Sequence, residues 1–491
     1  MDSTFTMVAK TMKGLESVLA DELRKMGAEN VAPGRRMVSF EGNLETLYRA
    51  NLCLRTALRI LKPFYTFRAD NPEVLYERLK EFDWSTIMNV DSTFAIDMVM
   101  NSNTFSHSRF ATYRVKDAIA DWFRDRYDSR PSVRLTDADL MINVHIDGDN
   151  VTLSLDSSGE SLHKRGWRVA TTEAPINEVL AAGILLIAGY DGSQPLLDPM
   201  CGSGTFLVEA ALIAANINPG VFRRKYAFQH WPDYNEALFE SLWNNEEGER
   251  TPHNMIIGAD ILPSAVEATR RNLKAAGVSS YVDVEVRKMS EWLKAPAQGG
   301  MFVTNPPYGE RISAPKMEEL YAIIGEKLKN VFTGWTAWII SLKEIFFRNI
   351  GLAPSQKISL LNGSLDCELR QYVIFAGSKR DFRAAGGRLK WNEDRPKAKA
   401  VKAPKGKPRT SSFGKPADSA PKSAAKRMAT RHNKPALPDR NIASEPASVN
   451  ENPLAARRNP NALKSIMNRE PSLPKSEGPI MRSRGWKKKE S

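Results

Sequence analysis

The segment Pro195-Leu196-Leu197-Asp198-Pro199-Met200-Cys201-Gly202-Ser203-Gly204-Thr205 constrains the fold of this chain more than any other stretch. A short apolar run ends in an acid, turns through glycines and enters a helical-looking stretch from Phe206 to Ala215. Strand, acid, Gly-rich turn and helix, in that order, open a doubly wound α/β nucleotide fold. Glycine lets the backbone of such a turn approach a ligand without a Cβ clash. The turn lacks the Lys-Ser/Thr that ends a phosphate-cradling loop, and Leu207 stands where the last small residue of G-x-G-x-x-G belongs. An acidic strand end holds pyrophosphate poorly and an aminoacyl ammonium group well. The sulfonium cofactor S-adenosyl-L-methionine therefore fits better than a dinucleotide or a nucleoside triphosphate.

Two later segments belong with this one. His253 to Asp260 reads as a second buried strand ending in a carboxylate, followed by Pro263 and a helix from Ser264 to Ala276. Asp260 is then placed to accept ribose hydroxyls. Alone, it would read as readily as a helix-flanking acid. The run Gly299 to Val303 leads into Thr304-Asn305-Pro306-Pro307-Tyr308-Gly309. Two prolines fix φ and remove their own N–H donors, so this strand end offers acceptors and little conformational freedom. The Asn305 amide and the Pro306 carbonyl can receive both hydrogens of an exocyclic amine, with the Tyr308 ring against the base. A plain Pro-rich turn is the bland alternative, and the company of Asp198 and Asp260 weakens it.

With these segments in series, the chain resembles the class I RNA methyltransferases that carry a THUMP domain, in particular the RlmL-type rRNA guanine-N2 methyltransferases. The resemblance rests on LLDPMCGSGTFLVEAALIAANINPG (196–220), TNPPYGER (304–311), LHKRGWR (162–168) and APINEVLAAGILLIAG (174–189), and covers roughly residues 1 to 390. It implies that Asp198, Pro199, Cys201, Gly202, Gly204 and Thr205 line the cofactor's methionine end and that Asp260 holds its ribose. Asn305, also near the cofactor, would grip the target base with Pro306, Pro307 and Tyr308. Direct in-line transfer to a flipped base needs no catalytic His or carboxylate, because an exocyclic amine can shed its proton afterwards. There is one departure: Lys288 and Met289 occupy the usual place of an acid beside the adenine, leaving Met289 as the expected contact.

Nothing in the NPPY motif separates guanine N2 from adenine N6, so 23S rRNA guanine as target comes from the resemblance. A DNA adenine-N6 methyltransferase would share the motif but not the front half. A non-catalytic RNA-binding assembly factor is disfavoured by the intact Asp198, Asp260 and Asn305. Methylation at a cytosine ring carbon would need a nucleophilic cysteine. Cys201 lies at the cofactor turn and not at the NPPY strand end, so it reads as pocket lining.

Ahead of the catalytic half, residues 1–60 alternate strand and helix patterns suited to a small ferredoxin-like domain. Residues 61–160 pattern as another small α/β unit with a hairpin turn at Asp147-Gly148-Asp149-Asn150; its assignment as an RNA-binding THUMP module comes from the resemblance. Residues 161–390 form the expected Rossmann-like domain. Arg109, Tyr113, Arg114 and Lys116 cluster near the start of one helix and are candidate RNA contacts. Lys164, Arg165, Trp167 and Arg168, at the junction of the halves, are expected to face RNA or the interdomain seam.

Charge is uneven. Residues 395–491 carry 24 Lys and Arg against 7 Asp and Glu, in a chain whose net charge is +13, so the preceding residues are slightly acidic. That tail (391–491), rich in Pro, Ala, Ser and Asn, is too poor in apolar residues to fold alone and is expected to be disordered. Its basic blocks would tether RNA non-specifically. Three scattered cysteines, no zinc spacing, no signal-like N-terminus and no apolar run of ~20 residues fit a cytoplasmic protein without metal or membrane partner.

Overall fold

The computed structural model describes residues 3–105, 107–173, 175–307, 314–342 and 346–377. Tyr308 and the basic tail lie outside these residues. Among them two sheets organise the chain.

The front sheet takes strands β1 (Phe5–Lys10), β2 (Glu29–Gly34), β3 (Met37–Gly42), β4 (Arg59–Arg68), β5 (Thr93–Asn101), β6 (Ser132–Val133), β7 (Leu140–Asp147) and β8 (Asn150–Asp156). Their order is β2-β3-β1-β4-β8-β7-β5-β6. Helices α1 (Glu16–Lys25), α2 (Leu44–Cys53), α3 (Pro72–Glu81) and α4 (Ser108–Tyr127) accompany it. Asparagines set two of the starts: Asn43 accepts the Thr46 N–H at 3.0 Å, and Asn71 accepts that of Val74 at 2.8 Å. Strand β4 runs from Arg59 to Arg68, through Pro63 and so beyond the 1–60 unit read from the sequence. A register shift between Pro63 and Tyr65 absorbs the missing N–H. Because β4 pairs with both β1 and β8, the ferredoxin-like and THUMP-like regions share one continuous sheet.

The rear sheet contains β9 (Leu196–Asp198), β10 (Ile256–Asp260), β11 (Val282–Val286), β12 (Gly300–Thr304), β13 (Trp335–Leu342), β14 (Gln356–Asn362) and β15 (Leu365–Val373). The order is β11-β10-β9-β12-β13-β15-β14, parallel up to β13 and antiparallel in the β14–β15 hairpin. Helices α5 (Glu178–Ile187), α6 (Thr205–Ala214), α8 (Pro263–Ala275) and α9 (Ala314–Asn330) complete the region, whereas α7 (Glu236–Trp243) packs with the front core. Alternate strand residues feed two cores. Leu196, Met301, Val303 and Ile340 pack with α5, α6 and α8. Leu197, Phe302, Ala337 and Ile339 pack with Met317, Tyr321 and Ile324 of α9. A sheet covered on both faces needs near-continuous apolar strands, which these are.

Residues 226–243, which the sequence reading leaves unassigned, return to the front core. Phe228, Trp231, Phe239 and Trp243 join the buried cluster beneath the front sheet. The Tyr48 ring lies 4.6 Å from that of Phe228, and its hydroxyl accepts the Asn235 N–H at 2.9 Å. No described helix is long and apolar enough to cross a membrane.

Candidate active site

Parallel strands bring their carboxyl ends to one edge of the rear sheet. β9 and β12 are neighbours there, with β10 and β11 on one side and β13 on the other. Open α/β sheets bind ligands outside such a reversal of strand order. Asp198 ends β9, Asp260 ends β10, and Asn305 follows the end of β12, so the three singled-out residues share this edge.

Asp198 is 1% exposed, and its Oδ1 accepts the Met200 N–H at 3.2 Å. Burial pushes its carboxyl up to about 7, only partly offset by the Met200 N–H and the adjacent Thr304 hydroxyl, while Asp260 adds to the rise. The Thr304 hydroxyl lies nearby but completes no hydrogen bond among the described residues. An acid in this setting gains strongly from an incoming cation. Asp260 braces the turn instead: Oδ2 accepts the Gly202 N–H at 3.0 Å and Oδ1 that of Leu262 at 2.9 Å. Carboxylate oxygens have further lone pairs for a hydroxyl.

Gly202 and Gly204 adopt φ of +56° and +80°, where a Cβ is strained. A Cβ on Gly204 would also stand 2.6 Å from Thr269 Cγ2. The Thr269 hydroxyl donates to the Gly202 carbonyl at 2.8 Å, and Asn272 Nδ2 donates to the Ser203 carbonyl at 2.9 Å. The turn's carbonyls are thereby drawn towards α8. Gly204 caps α6 without a side chain, so the first N–H groups of that helix suit an anionic group. Pro199 is buried beside the turn. Cys201 is buried, with Sγ 3.7 Å from Thr269 Oγ1, and burial pushes its thiol well up. A thiol so protonated is a poor nucleophile.

Met289 is 5% exposed and packs in the core with Leu197, Ala259, Trp292 and Phe302, so only its edge can meet a ligand. Sequence reasoning missed Ile261 and Leu262, each 56% exposed directly after Asp260, and the exposed Val286 at the end of β11. The three stand at the ends of the neighbouring strands β10 and β11, on the same edge. An apolar pair directly after a strand-ending acid was the available signal. Asn305 is half-buried, yet its Oδ1 is fully buried and accepts no hydrogen bond among the described residues. Pro306 is buried and Pro307 half-buried beside it.

An RMKL-like methyltransferase domain matches residues 165–371, an RlmL ferredoxin-like domain residues 6–61, and a THUMP domain residues 69–156. A Synechocystis sp. protein named "Putative RNA methyltransferase" is 38% identical over 370 residues, 75% of this chain and 96% of that protein. The chain belongs to the RMKL-like methyltransferase family. A "Ribosomal RNA large subunit methyltransferase K/L" of Syntrophotalea carbinolica is 40% identical over 386 residues, 76% of this chain and 54% of that protein. The chain thus spans about half the length of that relative. The solved structure titled "SMU.472, a putative methyltransferase complexed with SAH" superposes with a TM-score of 0.69 at 30% identity, covering 77% of this chain and 100% of that one.

Of the two places expected for the junction residues of this RMKL-like chain, RNA or the interdomain seam, three take the seam. Arg165 is 3% exposed and spends its guanidinium inside: on Glu209 at 3.4 Å, the Leu162 carbonyl at 3.0 Å and the Arg55 carbonyl at 2.5 Å. Trp167 is 1% exposed and belongs to the core around α5 and α6. Arg168 bonds Glu178, Ser203 and Thr205. These three serve the seam and the turn, and charge pattern alone could not reveal that burial. Lys164 alone of the four is exposed, paired with Glu160 at 2.9 Å, a contact worth little in water. A cleft of about 480 Å³ opens between this segment and the first turn of α5, and no residue of the glycine turn lines it. On α4, Arg109 is exposed, while Arg114 is half-buried with its guanidinium 4.4 Å over the Tyr76 ring.

Proposed function

We propose that this chain is an S-adenosyl-L-methionine-dependent RNA methyltransferase acting on the exocyclic N2 of a guanine in 23S rRNA or its large-subunit precursor. One observation carries this more than any other: the Asn305 side-chain oxygen, buried at the switch-point edge and accepting no hydrogen bond among the described residues. A buried acceptor left unmade costs roughly 1–3 kcal/mol, and an arriving amine N–H removes that cost.

The residues present fit the cofactor. Asp198 faces its ammonium, the first N–H groups of α6 its carboxylate, Asp260 its ribose, and Ile261 with Leu262 its flat adenine. When bound, it supplies a methyl group on a positively charged sulfur. The target base leaves its stack to reach this depth. Asn305 Oδ1 and the Pro306 carbonyl accept its two amino hydrogens, aiming the nitrogen lone pair out of the ring, and Tyr308 stacks on the face. Rate enhancement comes from holding the reactants at near-attack distance, and the amine proton leaves to solvent afterwards. The THUMP and RlmL-type front domains favour RNA over DNA, with Arg109, Tyr113, Arg114, Lys164 and the basic tail drawing in phosphates.

The test is labelled methyl transfer to large-subunit rRNA followed by mass analysis of nucleosides. N2-methylguanosine is expected, and N6-methyladenosine would move the chain to the adenine class. Asn305→Ala should lower turnover at least about 10²-fold with RNA affinity nearly unchanged. A parallel fall in both would make the residue structural.

A further inference from the structure

We propose that Arg168 is the positioning residue of the cofactor turn and ties that turn to the segment arriving from the front half. The proposal rests on the cofactor occupying the turn, as above. Arg168 Nε donates to Glu178 Oε1 at 2.6 Å, Nη1 to Ser203 Oγ at 3.0 Å and Nη2 to Thr205 Oγ1 at 2.8 Å. One planar fork therefore joins the first turn of α5, the middle of the glycine turn and the first residue of α6. Its other face is 4.8 Å from the Trp167 ring, and the side chain is only 20% exposed.

The next residues continue the lacing. The Val169 and Ala170 N–H groups both donate to Asn272 Oδ1 at 2.9 Å, and Asn272 Nδ2 reaches the Ala170 carbonyl and the Ser203 carbonyl. Ser203 is thus held twice, by its carbonyl from α8 and by its hydroxyl from Arg168. The fork fixes two hydroxyls next to the N–H groups that would meet the cofactor carboxylate. A lysine ammonium is a point donor on a flexible stem and cannot keep three partners in one plane.

Arg168→Lys and Arg168→Gln in the full chain test this. Binding of S-adenosylhomocysteine is measured by calorimetry, RNA affinity by a salt series, and KM and kcat by methyl transfer. Affinity for S-adenosylhomocysteine should fall about tenfold or more, with KM for the methyl donor raised more than kcat is lowered. RNA affinity and its salt slope should stay within about twofold. Loss of RNA affinity with a salt slope reduced by about one, and unchanged cofactor binding, would overturn the assignment and make Arg168 an RNA contact. Asp198→Asn is the control for the underlying site. If it keeps full S-adenosylhomocysteine binding, the site reading fails. If it loses binding while the Arg168 variants keep theirs, only the positioning role fails. Should the Arg168 variants not fold, Glu178→Gln preserves shape and weakens the Nε partner. A severalfold loss of S-adenosylhomocysteine affinity is then expected, and unchanged affinity refutes the proposal.

Discussion

Strands β1, β3 and β5 of the front sheet alternate buried and more exposed positions, whereas β12 and β13 of the rear sheet are buried almost throughout. The front sheet is mostly antiparallel, so its strand ends and helix termini point both ways and no single edge collects them. What it presents to solvent is faces, such as the start of α4, where Arg109, Phe110 and Tyr113 are exposed. The rear sheet is parallel through five strands, so acids, the glycine turn and the Asn-Pro-Pro segment all emerge on one edge. Chemistry at close quarters belongs to the second arrangement, and broad capture of a polymer to the first.

The two regions are locked together by buried parts that neither sheet supplies alone. Arg223 is 5% exposed and gathers four carbonyls of the connecting segment: Ser158, Glu160, Ser161 and Lys164, at 2.8–3.1 Å. Arg55 of the front half donates to the Leu212 and Ile217 carbonyls at the end of α6.

Trp243→Ala should break this joint most severely. Its loss from the front core is expected to cost about 3–5 kcal/mol, read as a lower urea midpoint for the whole chain. A fall confined to one half would mean that the insertion does not couple them. Arg223→Met comes next, taking the donor from the Ser158, Glu160 and Lys164 carbonyls, while Ser161 keeps the Lys164 N–H, at a cost of about 3 kcal/mol. A loss below about 1 kcal/mol would show that water substitutes for the guanidinium.

Asp198→Asn acts in the opposite direction. The folded carboxyl is raised to about 7 from an ordinary value near 3.8. The folded state therefore holds a proton that the unfolded chain releases, and ligand-free stability falls as pH rises from about 4 to about 7. The Asn variant lacks that slope, so it should be more stable than the parent at pH 8 by about 1–3 kcal/mol, and nearly equal at pH 4. Urea midpoints at both pH values check this. Equal differences at the two would mean the carboxyl is already ionised in the fold. The smallest effect belongs to the exposed face: Arg109→Ala with Tyr113→Ala should shift stability by less than about 0.5 kcal/mol while weakening RNA binding severalfold. Unchanged RNA affinity would remove α4 from the interface.

Much of the rear sheet was legible because its signals are local. Asp198, the two glycines and the apolar helix after them impose strand, turn and helix within one short stretch, and Asn305-Pro306-Pro307 marks a strand end by backbone chemistry alone. The end of β4 was not legible, because Pro63 reads as a stop and only the neighbouring strand supplies the bulge that carries it. Nor was α7. Its Asn235 cap accepts the Leu238 N–H at 3.0 Å, but its apolar residues serve a core formed more than a hundred residues earlier.

Arg165, Trp167 and Arg168 show the limit most clearly. A cluster of cations around an indole looks the same in sequence whether it faces phosphates or carbonyls, since side-chain type fixes charge and not environment. Local backbone preferences and apolar periodicity determined the elements, their order and the identities of Asp198, Asp260 and Asn305. Which carboxyl loses its water, which guanidinium is spent on carbonyls and which amide oxygen is left waiting were decided only when distant segments closed over them. Desolvation and hydrogen-bond pairing are properties of the packed whole.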